Sequence, residues 1–100
     1  METFQSQRGR EVMQLIREAL MRDWDPIGVA DIPEAADEYD SYIGSVYRIL
    51  AGSRSEDELV EFLRHTEIET MGLGGASRER LREVARKLLA LDVRIEKDVA

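Results

Sequence analysis

The chain has 100 residues, enough for one domain, and its 43% apolar and 35% charged residues are typical of a globular protein. It has no cysteine, which excludes disulfides, thiolate metal sites and cysteine nucleophiles. No apolar run approaches the about 18 residues of a membrane span, and the N-terminal sequence lacks the basic-then-apolar order of a signal peptide. We therefore expect one cytoplasmic domain over residues 1–100, with residues 1–6 as a disordered N-terminus.

The net charge of -7 is concentrated in residues 23–40, which we call the acidic segment. The segment contains no lysine or arginine, so the remainder of the chain is neutral overall. Since nucleic-acid affinity comes largely from cationic side chains that replace counterions, the segment argues against a nucleic-acid partner. It favours a basic protein or a cation as the partner, or a segment that only keeps the protein soluble. Its seven acids are Asp23, Asp25, Asp31, Glu34, Asp37, Glu38 and Asp40.

Apolar residues recur every three or four positions between Gln7 and Asp23, which predicts a first amphipathic helix. A carboxylate at the C-terminal end of a helix faces the negative pole of the macrodipole. Either the helix ends before Asp23, or Asp23 has a cationic partner.

A connection follows the first helix, and its residues specify its shape. Asp25-Pro26-Ile27-Gly28 has the preferred residues of a type I turn, and apolar residues up to Ile32 predict a loop that folds over the helices. Pro33 is tolerated in a first helical turn, and Asp31 with Glu34 resembles a capping box. We expect the turn and its anchor to be structural; these residues are Trp24, Asp25, Pro26, Gly28 and Pro33.

The second predicted helix begins between Pro33 and Asp37 and ends near Ala51, before a glycine. Tyr39 and Tyr47 lie on its inner stripe, whereas Tyr42 is expected to face outward. Its small residues, Ser41, Gly44 and Ser45, would let another backbone approach closely.

Two further helices are predicted from their caps. Ser55 with Glu58 forms a capping box for a third helix ending near Met71, and Ser77 caps a fourth that continues towards Leu91 and Ile95. No run alternates at period two for long enough to indicate a strand. Four helices with short connections predict an all-α fold, a compact bundle of about four helices.

The sequence W-D-P-I-G-V from Trp24 to Val29, followed by P-E-A-A-D-E-Y-D-S-Y from Pro33 to Tyr42, carries a family resemblance. It resembles a group of small bacterial helical proteins of unknown function that share a W-D-P-x-G turn and an acidic D-E-Y-D helix. The resemblance covers roughly residues 12–52 and implies a fold but no activity, catalytic residue or cofactor. Proteins of this build include immunity-like partners of bacterial toxins, which the resemblance adds as an expectation.

Two chemistries suit the acidic segment. Aromatic residues are over-represented at binding hot spots and charged rims steer association, so Asp37, Glu38, Asp40 and Tyr42 are the expected residues of a protein-binding surface. Alternatively, Asp37, Asp40 and Ser41 share a helix face on which Asp25 or Asp31 could converge to hold a divalent cation.

The remaining candidates are weaker. His65 has Glu61 and Glu69 four residues away on either side, a row that could contribute to a metal site but suits surface ion pairing better. Arg78, Arg82 and Arg86 form a basic row, but no aromatic residue accompanies it for stacking on bases. The sequence has no catalytic triad order and no phosphate-binding loop.

We therefore predict a non-enzymatic acidic module that binds a basic protein and needs no cofactor, with an immunity or antitoxin-like inhibitor as one form. A divalent-metal-binding protein or a small metal-dependent enzyme that uses the clustered carboxylates is the alternative. A self-associating protein that uses the small residues of the second helix is a third interpretation.

Overall fold

Four α-helices form the architecture of the computed structural model, which describes residues 6–94. They are α1 (Gln7–Ala19), α2 (Ile43–Ala51), α3 (Glu56–His65) and α4 (Arg78–Leu89). The described residues include no strand, so the predicted all-α bundle of about four helices is confirmed. The expected disordered N-terminus lies outside the described residues except for Ser6. The Ser6 hydroxyl accepts a hydrogen bond from the Gly9 amide at 2.9 Å and caps α1.

Each helix turns an apolar stripe towards one shared core. Because the buried residues fall three or four positions apart, as in Leu81, Val84 and Leu88 of α4, burial follows the helical period. Tyr39 and Trp24 are the largest side chains in the core, and both come from the acidic segment. The segment is therefore part of the hydrophobic core as well as of the surface.

Serine side chains cap α3 and α4 as predicted, but the Glu58 carboxylate accepts the Ser53 hydroxyl and the Ser55 amide donates to Ser53, so the predicted capping box is only half formed. Ser55 accepts a hydrogen bond from the Glu58 amide, and Ser77 accepts one from the Arg80 amide, each at 3.1 Å. Each cap satisfies an amide that has no partner within its helix.

Replacing either cap with alanine, as S55A or S77A, is expected to lower the free energy of unfolding by about 1 kcal/mol. Urea denaturation of each variant measures the loss. Ser41→Ala is the control, because Ser41 is exposed and its side chain makes no hydrogen bond with the residues described. An equal loss in S41A would contradict the capping argument.

The basic row of α4 faces carboxylates of α3. Arg82 binds Glu56 and Asp57 at 3.0 and 2.9 Å, Arg86 binds Glu56 at 3.0 Å, and Arg78 binds Glu61. These pairs link the two helices, but water screens them, so each contributes little to stability. The row therefore neutralises α3 rather than the acidic segment.

Two helices end in a wide turn that the sequence pattern did not predict. A π-helical turn, Leu20–Trp24, continues α1, and another, Thr66–Thr70, continues α3. In each, an amide bonds the carbonyl five residues earlier, Asp25 to Leu20 and Met71 to Thr66. Such turns insert an extra residue, which rotates the following side chains about the helix axis.

The second predicted helix begins too early. The structure has two short 3₁₀ turns, Pro33–Ala35 and Asp40–Tyr42, and regular α-helix begins only at Ile43. Ile32, which precedes a proline, is extended with φ -105° and ψ 104°, as sterics favour. No side chain caps Pro33–Ala35, so the predicted capping box of Asp31 and Glu34 is wrong.

The ends of the remaining predicted helices are also refined. Asp23, at the C-terminal end of the first helix, contacts Arg22 at 3.0 Å and the Lys87 ammonium group at 3.7 Å, so it has the cationic partner that its position requires. The fourth helix ends at Leu89, before Leu91, and Ile95 lies outside the described residues.

Candidate functional site

The acidic segment is organised by the Asp25 side chain, which replaces the helical hydrogen bonds that the segment lacks. One carboxylate oxygen accepts the Val29 amide and the Tyr39 hydroxyl, each at 2.8 Å, and the other accepts the Ala30 amide at 3.1 Å. The predicted turn closes through the Gly28 amide and the Asp25 carbonyl at 3.2 Å. Asp25 itself has a φ of 37°, a left-handed value that aspartate tolerates better than most residues.

Trp24 anchors this connection in the core, as the sequence predicted. It is 1% exposed, and its ring centroid lies 5.2 Å from that of Tyr39 and 6.0 Å from that of Tyr42. The indole Nε1–H donates to a carboxylate oxygen of Glu67 at 2.7 Å. The other oxygen of Glu67 accepts the Ala76 amide at 2.7 Å. Glu67 thus joins the acidic segment to the connection between α3 and α4.

Tyr42 and Asp40 are less available than the sequence predicted. The Tyr42 ring is partly buried and packs edge-on against Trp24, so the expectation that it faces outward is wrong. The Asp40 carboxylate accepts two hydrogen bonds from the Arg17 guanidinium, at 2.8 and 2.5 Å. This bidentate pair fixes the segment to α1 and raises the pKa of Arg17. Both residues therefore position the segment.

Four other carboxylates of the segment are exposed, and none forms an ion pair or side-chain hydrogen bond with a residue that the structure describes. Two isoleucines of the same connection, Ile27 and Ile32, are the most exposed large hydrophobic residues within residues 6–94, at 42% and 46%. We call these six residues the acidic surface: Ile27, Asp31, Ile32, Glu34, Asp37 and Glu38. Exposed apolar residues and unpaired charges on one connection are suited to binding a protein.

The predicted carboxylate site for a divalent cation has no matching ligand set within residues 6–94. No three histidine, aspartate or glutamate side chains there are arranged to hold a metal ion. Asp25 and Asp40, two of the predicted ligands, are occupied by amides, a hydroxyl and a guanidinium. In the predicted row with His65, Glu61 pairs with Arg78 and Glu69 lies beyond the end of α3.

The hydrogen bonds of Asp25 should make the stability of the fold depend on pH. Burial opposes ionisation, but the Val29 amide, the Tyr39 hydroxyl and the Ala30 amide outweigh it and lower the pKa of Asp25 below 3.8. Because the folded-state pKa lies below the unfolded one, ionised Asp25 stabilises the fold above about pH 4, and this contribution disappears as the pH falls through the folded-state pKa. Asp25→Asn is therefore expected to be less stable near neutral pH, with a difference that shrinks as the pH falls below about 4.

Urea midpoints of the two proteins between about pH 7 and pH 2 measure this difference. Asp31→Asn is the control, since Asp31 is exposed and unpaired among the described residues, and its midpoints should follow those of the wild type. A difference between D25N and wild type that stayed constant with pH would contradict the role of the ionised carboxylate.

Sequence reasoning missed Glu67. It is 3% exposed, and its two donors lie 43 positions before it and nine after it in the chain. The one available signal was indirect: a buried tryptophan usually finds an acceptor for its N–H.

No helix among the described residues is long and apolar enough to span a membrane. Comparisons with protein-family models, curated proteins and solved structures return no match for this chain. The family resemblance carried by Trp24 to Tyr42 therefore stays a prediction.

Proposed function

We propose that this chain is a non-enzymatic protein-binding module that engages a basic partner through the acidic surface. The observation that carries the proposal is the combination of two exposed isoleucines with four unpaired carboxylates on one anchored connection. Apolar residues at the centre of an interface supply much of its affinity, and a charged rim accelerates association with an oppositely charged partner.

The anchoring of the connection supports this proposal. The Asp25 side chain fixes the first turn of the connection, and the ion pair of Asp40 with Arg17 fixes its end. The Trp24 ring, at the start of the connection, is buried in the core. A surface held in one conformation loses less entropy on binding than a flexible loop does. Polar side chains thus hold the backbone of a segment with little regular helix, while Ile27 and Ile32 remain exposed to solvent.

The residues assigned to binding differ from those expected from the sequence. Asp37 and Glu38 remain in the proposed surface, whereas Asp40 and Tyr42 act as its support. Ile27 and Ile32 enter as anchors. An inhibitor of the immunity or antitoxin type, acting in the cytoplasm, is the form of this function that the family resemblance favours.

Affinity capture from a lysate of the native cell tests the proposal. Glu34→Gln, Asp37→Asn and Glu38→Gln together neutralise three of the four carboxylates of the acidic surface, and we expect this triple variant to lose basic proteins that the wild type captures. A second triple variant, E69Q/E79Q/E83Q, is the matched control, because its glutamates are exposed and unpaired among the described residues. Equal capture by both triple variants would contradict the proposal.

A further inference from the structure

A cavity of about 300 Å³ opens between the π-helical turn after α1 and the first turn of α4. Its walls include Trp24, Glu67, Gly75 and Arg80. A single water molecule needs only about 10–15 Å³ of such space, so the cavity has room for a short aliphatic chain with a polar end. None of the six residues of the acidic surface lines it.

The carboxylate of Glu67 gives this cavity its charge. Glu67 is 3% exposed, and its oxygens accept one N–H each, from Trp24 and Ala76. An ionised carboxylate has about four acceptor positions, so about two stay open. No cationic side chain among the described residues pairs with Glu67. Since a buried carboxylate without a cation is unfavourable, a ligand that supplies a cation gains binding energy there.

The backbone adds further acceptors at the entrance. The carbonyls of Asp23 and Trp24 lie at the C-terminal end of the π-helical turn, where the helix macrodipole is negative. Both accept hydrogen bonds from one nitrogen of the exposed Arg80 guanidinium, at 3.3 and 3.2 Å. The chain's own cation thus occupies acceptors that a cationic ligand would use.

We infer that this cavity binds the alkylammonium group of a ligand, with the ammonium near Glu67 and the alkyl chain against Trp24. Arg80 then competes with the ligand for the entrance. The same chemistry has two sources, a free alkylamine and a lysine side chain of a protein. The inference is independent of the acidic surface, because it involves none of its residues.

The chain has one tryptophan, so its indole N–H gives one resonance in a ¹H–¹⁵N spectrum, and this N–H is bonded to Glu67. We expect saturable shifts of that resonance with n-butylammonium or with Nα-acetyl-lysine amide, whose side-chain ammonium is free. We expect none with Nα-acetyl-norleucine amide, which has no cation. A response to n-butylammonium alone identifies free amines as the source, and a response to the lysine probe identifies a lysine side chain. No saturable response to either cation, or an equal response to the norleucine probe, would overturn the inference.

Two substitutions should change the affinity for the cation in opposite directions. Arg80→Ala is expected to raise it at least threefold, because it removes the competing guanidinium. Glu67→Gln is expected to lower it at least tenfold, while E69Q on the same turn leaves it unchanged. Since Arg80 is exposed, R80A keeps the test decisive even if E67Q is poorly folded. Weaker binding by R80A would overturn the inference.

Discussion

Replacing Trp24 with alanine is expected to lower the free energy of unfolding by about 3–5 kcal/mol, the range for large aromatic residues in cores. Trp24 is 1% exposed, contacts the rings of Tyr39 and Tyr42, and donates to Glu67. The variant would leave a cavity and would also deprive a buried carboxylate of a donor. Chemical denaturation measures the loss, and a loss below about 1 kcal/mol would contradict the role of Trp24 as anchor.

Trp24→Phe separates the two contributions. It keeps an aromatic ring in the core but removes the N–H that Glu67 accepts, which is expected to lower the free energy of unfolding by about 1–3 kcal/mol. A double-mutant cycle of W24F with Glu67→Gln should give a coupling of about 0.5–3 kcal/mol, as residues in direct contact do. The exposed Ile32→Ala is the control, and its stability should change little.

Replacing both exposed isoleucines with serine, in the double variant I27S/I32S, is expected to lower affinity for the captured basic partner about 100-fold, which corresponds to about 2.7 kcal/mol. The loss should lie mainly in faster dissociation, because apolar contacts form after the encounter whereas charges govern its rate. The fold should be unaffected, since the two side chains are 42% and 46% exposed.

Surface plasmon resonance on the immobilised partner measures both rate constants of this double variant. Leu73→Ser is a control at a partly exposed apolar residue outside the acidic surface, in the connection between α3 and α4. Unchanged dissociation of I27S/I32S would contradict the assignment of the isoleucines as anchors.

The sequence predicted the elements whose signals are local. Ser55 and Ser77 cap helices because each accepts an amide three residues away, and the apolar stripes follow because the helical period is local too. The turn at Asp25 to Gly28 was identified for the same reason, since proline and glycine act on their own backbone.

What the sequence did not predict depends on contacts distant along the chain. Asp40 was assigned to a binding surface because its partner, Arg17, lies 23 positions earlier, and Tyr42 was placed outward because its contact with Trp24 has no local signature. The helix start was predicted too early because Arg17 holds Asp40 and Asp25 holds Tyr39, and neither partner is a near neighbour in the chain. Propensity alone favours helix there, but tertiary contacts decide the backbone.

The acidic surface is most directly tested by the association rate constant with the captured partner, measured at low and at physiological ionic strength. The two triple variants, E34Q/D37N/E38Q and E69Q/E79Q/E83Q, each remove three negative charges from a chain of net charge -7. We predict that the first associates at least about tenfold more slowly than the wild type and with weaker salt dependence, whereas the second matches the wild type. Equal slowing of both would show that net charge alone governs the encounter and would contradict the proposed surface.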